Sequence, residues 1–250
     1  MMYLHWMLLL AGVFLVLERL FPERRQGILR PGFARDLLFL AANGWLLPLL
    51  LSWIGIDFLG WAIRGIRPGL GAWEPWLAGT PAGVRFGLAL VSLDLVKWAA
   101  HWCLHRFPLL WKFHRVHHSV TVMDWLGNWR FHGLEIVYYQ AWTAVPLALL
   151  LLAGIESHVL FIYYVVETAI GNLNHSNLRL DLGPLHRVFN GPRIHLWHHD
   201  RFPPGGRVKN FAIVLSLWDG IFGTATFERT PPRELGVPGT DASVGASRSR

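Results

Sequence analysis

The chain has 250 residues, which favours one domain over two, and 53% of them are hydrophobic while only 16% are charged. Soluble domains carry about a quarter charged residues, so this composition, with several apolar runs of about 20 residues, excludes an ordinary soluble protein and predicts a membrane protein. The net charge of +7 comes without a basic stripe or binding motif, so we expect no nucleic-acid partner. The single cysteine, Cys103, excludes disulfides and thiolate metal sites.

Residues 1–84 are predicted to form an N-terminal region of transmembrane helices and loops. The apolar run 2–18 lacks the basic start and the small-residue cleavage site of a signal peptide, so we interpret it as a retained transmembrane helix. An arginine-rich loop, 21–36, separates it from a second hydrophobic span, 37–63. Segment 64–85 is rich in Gly, Pro and Arg and is predicted to be a loop.

The next apolar segment, 86–104, contains ionisable residues, among them Lys97 and His101. An ionisable group at membrane depth costs free energy, so such residues are functional candidates. Farther along, 136–171 is predicted to be a tight helical hairpin that turns at Gly154.

The charge distribution predicts the orientation in the membrane. The first span has no Lys or Arg before it and four Arg in the loop after it, which predicts a cytoplasmic loop. With one crossing per span, both histidine-rich segments return to the cytoplasmic side. We therefore predict an all-α, multi-pass membrane helical bundle of about four or five transmembrane helices with a cytosolic helical cap. Residues 228–250, rich in Pro, Ser, Arg and Gly, are predicted to be a disordered tail.

Twelve of the 13 histidines lie between positions 101 and 199, and the spacing HxxHH occurs twice. Residues three or four apart share a helical face, so each motif brings imidazole rings together. Imidazole binds Fe, Zn, Cu or Ni, and one tetrahedral zinc ion takes at most four ligands. Eight motif histidines exceed one ion and predict two ions side by side: His101, His105, His114, His117, His118, His195, His198 and His199. The separate His5, His158 and His186 are interpreted as hydrogen-bonded core or interfacial residues.

The order of these motifs resembles the fatty acid hydroxylase and sterol desaturase superfamily of histidine-box membrane proteins, over about residues 85–227. The matching segments are HWxxH at 101–105, HRVHHS at 114–119, RxHxxE at 130–135, HSNL at 175–178, HxxHH at 195–199 and a WDxxFGT-like segment at 218–224. In that family the histidines bind a dinuclear metal centre, normally iron, beneath a small helical membrane domain. The metal activates O2 and oxidises a C–H bond of a lipid to an alcohol or an alkene.

The resemblance implies that the eight motif histidines are metal ligands, and His132 and His175 also occupy family positions. No catalytic residue is implied beyond the metal ligands. Asp94, Asp124 and Glu135 are expected to accept the distal N–H of ligand rings and orient them. The remaining polar candidates are expected to complete the metal shell or hold a bound water: Asn172, Asn174 and Asp200.

The sequence therefore predicts an integral membrane oxidoreductase, in the inner membrane if the source is bacterial, with 85–227 as the catalytic region. It would use two Fe ions and O2 to hydroxylate or desaturate a membrane lipid: a fatty acyl, sterol-like, carotenoid or ether lipid. Electrons must come from an external donor, a ferredoxin or a small haem carrier with a reductase, because the chain has no CxxCH or iron–sulfur cysteine pattern.

Other functions remain open. The alternative from a different class is a non-catalytic membrane protein that binds or transports a metal or haem, although a transporter would place its ligands near the bilayer midplane. A zinc hydrolase is a weaker alternative, because no HExxH motif occurs and the histidines are too numerous. The lipid, the regiochemistry and the oligomeric state are not specified.

Overall fold

The computed structural model of this chain describes residues 2–47, 65, 75–228 and 230–239. Within this part the regular structure is helical, and strand pairing is limited to two isolated bridges. The predicted all-α class is therefore confirmed for the described residues.

The N-terminal part contains helix α1 (Met2–Leu20) and helix α2 (Phe33–Phe39), which continues into a π-helical stretch, Leu40–Leu46. The predicted span 37–63 thus begins within α2. Its residues beyond position 47 lie outside the described part of the chain.

Helix α1 holds the loops that flank the histidines. Met7 and Phe14 pack in one apolar cluster with Trp125. Glu18, which is 1% exposed, accepts the backbone N–H of Trp125 at 2.9 Å and that of Asn177 at 2.8 Å. A buried carboxylate must be hydrogen-bonded to be tolerated, so this side chain ties α1 to both loops.

The longest helix, α3 (Ala82–Arg106), is followed directly by the short helix α4 (Pro108–His114). Phe107 between them is extended, and the first residue of α4 is a proline, which has no N–H to lose at that position. This break turns the chain so that the rings of His105 and His114 lie 4.6 Å apart, centre to centre.

Helices α5 (Gly133–Leu152) and α6 (Ser157–His175) form the predicted hairpin. Gly154 turns it with a φ of +101°, and an added Cβ there would lie 2.8 Å from the Cβ of Pro75. Only glycine adopts this backbone without strain. The helices extend a few residues beyond the predicted 136–171 at both ends, and both pack against α3.

The C-terminal part contains helices α7 (Pro192–His198) and α8 (Leu217–Ile221), with turns of 3₁₀-helix at Gly183–Arg187 and Pro204–Gly206. Helix α7 packs against α6. This contact brings the second HxxHH motif to the end of the hairpin.

The described part of the predicted disordered tail, 230–239, differs from that expectation. Leu235 is 4% exposed and packs with Val120 and Leu196 beside the histidines. Composition alone concealed this contact, because one leucine is enough to anchor the segment in a run of Pro, Gly and Arg. Residues 240–250 lie outside the described part of the chain.

Two of the described helices, α3 and α5, are long and apolar enough to cross a membrane, judged by length and composition. Only 11% of the most apolar 18-residue stretch of α5 is buried inside the structure, against 39% for α3. An apolar helix surface of this extent needs an apolar environment outside the protein. These two helices therefore support membrane association.

Candidate metal centre

Nine histidines form two groups, in each of which one ring nitrogen of every member lies within 4.8 Å of the others. The five-histidine group consists of His101, His105, His114, His118 and His198. The four-histidine group consists of His117, His175, His195 and His199. The two groups adjoin, since the rings of His118 and His199 stack with centres 4.3 Å apart.

Each HxxHH triplet is divided between the two groups. The first and last histidines of a triplet share a group, whereas the middle one belongs to the other group. His117 therefore joins the second triplet's outer pair, and His198 joins the first triplet's outer pair. The triplets interlock, so neither group forms from one triplet alone.

The Nε2 atoms of neighbouring rings face one another at short distances. In the five-histidine group, the Nε2 of His114 lies 3.1 Å from that of His101 and 3.2 Å from that of His118. In the four-histidine group, the Nε2 of His175 lies 3.0 Å from that of His117 and 3.1 Å from that of His195.

Backbone carbonyls fix the tautomers of three rings, because a carbonyl oxygen only accepts hydrogen bonds. The Nδ1–H of His101 donates to Phe211 O at 2.7 Å, and that of His198 donates to Lys209 O at 2.8 Å. The Nδ1–H of His175 likewise donates to Gly171 O at 2.8 Å. A neutral ring protonated at Nδ1 carries a lone pair on Nε2, so these Nε2 atoms point lone pairs into the groups.

Burial keeps the rings neutral. Desolvation, then the neighbouring rings, lowers the pKa of His114, His118 and His199 well below the ordinary 6.5. The same causes act on the pKa values of His117 and His195. Unprotonated nitrogens at these distances repel one another unless a cation lies between them, so the donor set fits a metal ion in each group.

The distances also bear on the kind of site. Two nitrogens bound about 2.1 Å from one ion are about 3.0 Å apart at a right angle and about 3.4 Å apart in a tetrahedron. The spacings of 3.0–3.2 Å between ring nitrogens are therefore in the range that two ligands of one ion adopt. A haem takes one or two protein ligands, whereas each group brings four or five histidine rings together, so the groups do not fit a haem.

The outer side of the rings differs between the two groups. In the five-histidine group, His114 Nδ1 lies 2.6 Å from Glu135 Oε1, and the two carbonyl bonds orient His101 and His198. In the four-histidine group, only His175 has such a partner among the described residues. The other three have unpartnered Nδ1 atoms: His117, His195 and His199. Bonded outer nitrogens hold a ring in place and raise its basicity, so the five-histidine group is the more rigidly oriented.

A cavity of about 220 Å³ reaches the histidines from between α3, α5 and α6. His101, His117 and His175 line it at one end, and Tyr139 and Thr143 of α5 line it farther along. The cavity connects both histidine groups with the candidate membrane helices.

Comparison with known proteins bears on this arrangement. Residues 86–224, more than half of the chain, match the family described as fatty acid hydroxylase. The chain belongs to the fatty acid hydroxylase family. This membership confirms the resemblance seen in the histidine motifs.

Three curated relatives illustrate the family. The chain is 32% identical over 168 residues to ornithine lipid hydroxylase OlsE of Rhizobium tropici, a match covering 66% of this chain and 49% of that protein. It is 30% identical over 145 residues to alkylglycerol monooxygenase of Homo sapiens, covering 54% of this chain and 29% of the relative. Methylsterol monooxygenase 1 of Gallus gallus is 27% identical over 143 residues, with 56% and 45% covered. The chain thus spans half or less of these relatives, and no solved structure matches it.

Of the ten family-position histidines, the structure brings nine together and leaves His132 outside both groups. The Nδ1 of His132 instead accepts the backbone N–H of Leu134 at 3.2 Å, and its ring contacts Phe113. This side chain caps the first turn of α5. A neutral ring that accepts at Nδ1 carries its proton on Nε2, so in this arrangement His132 offers no lone pair to an ion, unlike the rings of the two groups.

Among the carboxylates expected to orient ligand rings, only Glu135 contacts one. Asp94 instead accepts the backbone N–H groups of Val214 and Leu215, both at 2.9 Å, and the indole N–H of Trp218 at 3.0 Å. It therefore fixes the chain segment that carries Phe211 O rather than a histidine ring.

The other expected carboxylates also have different partners. Asp124 pairs with the buried guanidinium of Arg30, and Asp200 accepts the backbone N–H of Phe202 at 3.2 Å. Asp124 bonds to no histidine ring in the described part of the chain, and Asp200, which was expected to complete the metal shell or hold a bound water, lies outside both histidine groups.

Two asparagines were expected at the site. Asn172 accepts the amide N–H of Asn128 at 2.8 Å. Asn174 donates to Ile213 O at 2.7 Å, and its Oδ1 is buried without a partner while the side chain lines the cavity. Asn174 is thus available to a bound molecule, and Asn172 is part of the packing.

Sequence reasoning missed Asp219, although it lies in the matching segment 218–224. Its carboxylate accepts the backbone N–H groups of Phe211 and Ala212, both at 2.9 Å, and the indole N–H of Trp98 at 3.0 Å. Asp94 and Asp219 together anchor this segment to α3. The motif itself was the signal for this role.

A buried ion network was also missed. Arg130 pairs with Asp36, which pairs with Arg30 at 2.7 Å, and Arg130 donates to Ser119 O at 2.9 Å. These side chains are almost fully buried, so each charge needs its partner. The network joins the N-terminal region to the loop after the first HxxHH motif.

Proposed function

We propose that this chain is a membrane-bound, O2-dependent dinuclear-iron oxygenase that hydroxylates or desaturates a C–H bond of a membrane lipid. The observation that carries the proposal is the convergence of nine histidine nitrogens, in groups of five and four, at the end of a cavity between helices able to cross a membrane. The relatives support it, since their names describe a lipid hydroxylase and two monooxygenases of lipids.

The histidines are the groups that would hold the two ions, one in each group. Bound iron supplies the activation of O2 and the oxidation of an unactivated C–H bond, a task no protein side chain performs. The four-histidine group has fewer protein ligands, so it leaves more room for a further ligand. Asn174 directly precedes His175 of this group in the sequence, and its buried Oδ1 has no hydrogen-bond partner and could accept one from such a ligand.

The protein's own contribution is position and exclusion of water. His117 stacks on Phe131 with ring centres 4.5 Å apart and nearly parallel planes, which holds the ring against the cavity wall. The carbonyls of Lys209, Phe211 and Gly171 hold three other rings in one tautomer. The segment 230–239 packs beside the site, with Leu235 against Leu196 and Gly236 N–H donating to His199 O at 3.2 Å.

The proposed placement is a multi-pass bundle with the histidines on the cytoplasmic side. Helices α1, α3, α5 and α6, together with the span 37–63, would supply four or five crossings. A hydrocarbon core about 30 Å thick needs about 20 residues of helix for each crossing. The arginine-rich loop after α1 supports the cytoplasmic assignment by the positive-inside rule. The substrate would enter the cavity from the bilayer.

An electron-donor protein is the proposed partner. Oxidation of a lipid by O2 consumes two external electrons, and the single cysteine of this chain cannot hold an iron–sulfur cluster. A ferredoxin, or a small haem carrier with its reductase, would supply them at the cytosolic face.

Metal analysis of the purified chain tests the proposal. We expect about two iron ions per chain, and about one in His117→Ala, because that ring belongs to the four-histidine group alone. Lipid profiling of cells with and without the protein should then reveal an O2-dependent product that differs from its precursor by one oxygen or two hydrogens. One haem, or a chain that folds without metal and makes no such product, would falsify the proposal.

A further inference from the structure

An ion pair lies inside the helical bundle, between Lys97 of α3 and Glu167 of α6. The two side chains are 13% and 12% exposed. The Lys97 ammonium also lies 5.4 Å from the ring centre of Tyr164. Charges at membrane depth are costly, and a pair of apolar side chains would join two helices at least as well, so a purely structural role explains the pair poorly.

Both partners line the cavity that reaches the histidines. Lys97 precedes His101 by one helical turn, which is about 6 Å along α3. Glu167 precedes Gly171, whose carbonyl orients His175, by the same interval on α6. Lys97 therefore lies about one helical turn, and Glu167 about two turns, before the histidine ring that its own helix contributes to the groups.

The pair keeps hydrogen-bonding capacity for a third group. An ammonium has three donors, and among the described residues only Glu167 accepts from Lys97. The carboxylate has a second oxygen that accepts. A bound molecule in the cavity thus meets a donor and an acceptor side by side.

The charges select the kind of group that fits. The pair is neutral as a whole, so a carboxylate or an ammonium brought against it would leave one of three charges without a partner in a medium of low dielectric constant. An uncharged group that both donates and accepts, such as a hydroxyl or an amide, bonds to both side chains without that cost.

The shape of the cavity agrees with a lipid occupant. Its volume of about 220 Å³ is smaller than the several hundred Å³ of a pocket that encloses a whole ligand, so it holds a segment of a longer molecule. Gln140, on the same wall, is exposed on the outer face of α5, which marks where the cavity meets the surface of the bundle.

We propose that Lys97 and Glu167 bind an uncharged hydroxyl or amide group of the lipid substrate and so place the neighbouring carbon at the histidine groups. The pair is a specificity determinant for an acyl lipid with a polar group close to the oxidised carbon, as opposed to a plain hydrocarbon chain or a free fatty acid. This inference rests on the proposed function.

Binding of three 16-carbon probes to the purified, metal-loaded full chain in detergent micelles tests the inference. Tritium-labelled 1-hexadecanol, hexadecane and palmitate differ only in the terminal group. We expect hexadecanol to bind about tenfold more tightly than the other two, the ratio that one net hydrogen bond to charged groups supplies. Equal affinities for hexadecanol and hexadecane, or a preference for palmitate, would overturn the inference.

The matched variants remove the pair without leaving one charge alone. The double variant Lys97→Met/Glu167→Leu should bind hexadecanol and hexadecane equally while it keeps the metal content of the wild type. Lys112→Met, at an exposed position on α4, is the control and should keep the tenfold preference. A double variant that keeps the preference contradicts the inference.

If that double variant fails to fold, Glu167→Gln gives a second test: it keeps the side-chain volume but leaves the Lys97 charge without its partner, so the preference should shift from hexadecanol toward palmitate, and an unchanged preference for hexadecanol would contradict the inference. Binding is measured without turnover. A failure of the inference therefore shows as equal binding, whereas a failure of the proposed function shows as probe discrimination without any O2-dependent product.

Discussion

Replacing Asp94 by Asn tests how the segment after α7 is held against α3. The Asp94 carboxylate is fully buried and accepts three hydrogen bonds, one on Oδ1 and two on Oδ2. An amide has one acceptor oxygen, so Asp94→Asn keeps at most two of these bonds and turns an N–H2 group toward a backbone N–H. A lost bond to a charged acceptor costs about 1.5–3 kcal/mol, and with the weakening of the remaining bonds the total is about 2–4 kcal/mol.

Thermal unfolding in detergent micelles, followed by tryptophan fluorescence, measures this loss. At about 2–4 °C per kcal/mol for a chain of this size, Tm should fall by about 5–15 °C. The metal content should fall as well, because the segment that Asp94 anchors carries the carbonyl of Phe211 that orients His101.

Asp181→Asn is the matched control for this measurement. Asp181 also accepts a backbone N–H and pairs with Arg193, but its side chain is 50% exposed, so the variant should lose less than about 1 kcal/mol. If Asp94→Asn unfolds no earlier than Asp181→Asn, the anchoring role derived for Asp94 is wrong.

Three further outcomes follow from the histidine groups. His132→Ala should keep both metal ions by elemental analysis, whereas His117→Ala loses one; equal losses would contradict the capping role of His132. Stepwise chelation with EDTA should remove the ion of the four-histidine group first, with affinities at least about tenfold apart, because three of its rings have unpartnered outer nitrogens. His117→Ala should then retain only the slowly released ion, and release of both ions in one step would refute this. The metal-free protein should lose stability as the pH falls below about 6.5, the ordinary pKa of histidine. Its buried rings have lowered pKa values, so protons bind the unfolded chain first; a Tm that holds or rises from pH 7 to pH 5 would contradict this.

The sequence was informative where chemistry repeats at helical spacing. Residues four apart share a helical face, and the pairs four apart in the HWxxH and HxxHH motifs do share a group. The exchange of the middle histidines between groups was not predictable, because it depends on how α4 and α7 approach each other. The helical hairpin was predictable for a related reason, since two apolar runs flank a glycine at the turn.

The roles of single polar residues were not predictable from spacing. Asp94 lies seven residues before His101, on the same stripe of α3, and this suggested a contact with a ring. In the structure the Asp94 carboxylate accepts a hydrogen bond from a backbone segment 120 positions away, because that segment packs against α3 at this position. His132 similarly occupies a position in a histidine motif, but α5 begins at the next residue, and the Nδ1 of His132 accepts a backbone N–H of its first turn. Long-range chain placement decides such cases, and one sequence does not contain it.

The interlocked triplets also affect the stability of the folded protein. His118 and His198 are 80 residues apart in the chain, and His117 and His175 are 58 apart. An ion shared by such rings is a cross-link that closes a long loop, and closing a loop of this size restricts the unfolded chain by about 4 kcal/mol, as a disulfide would. The described part of the chain has no disulfide, so the two ions would be the only cross-links there. The supply of metal would then determine how much folded protein a cell holds. Without the metal, the cell would lose the folded protein and not only its activity.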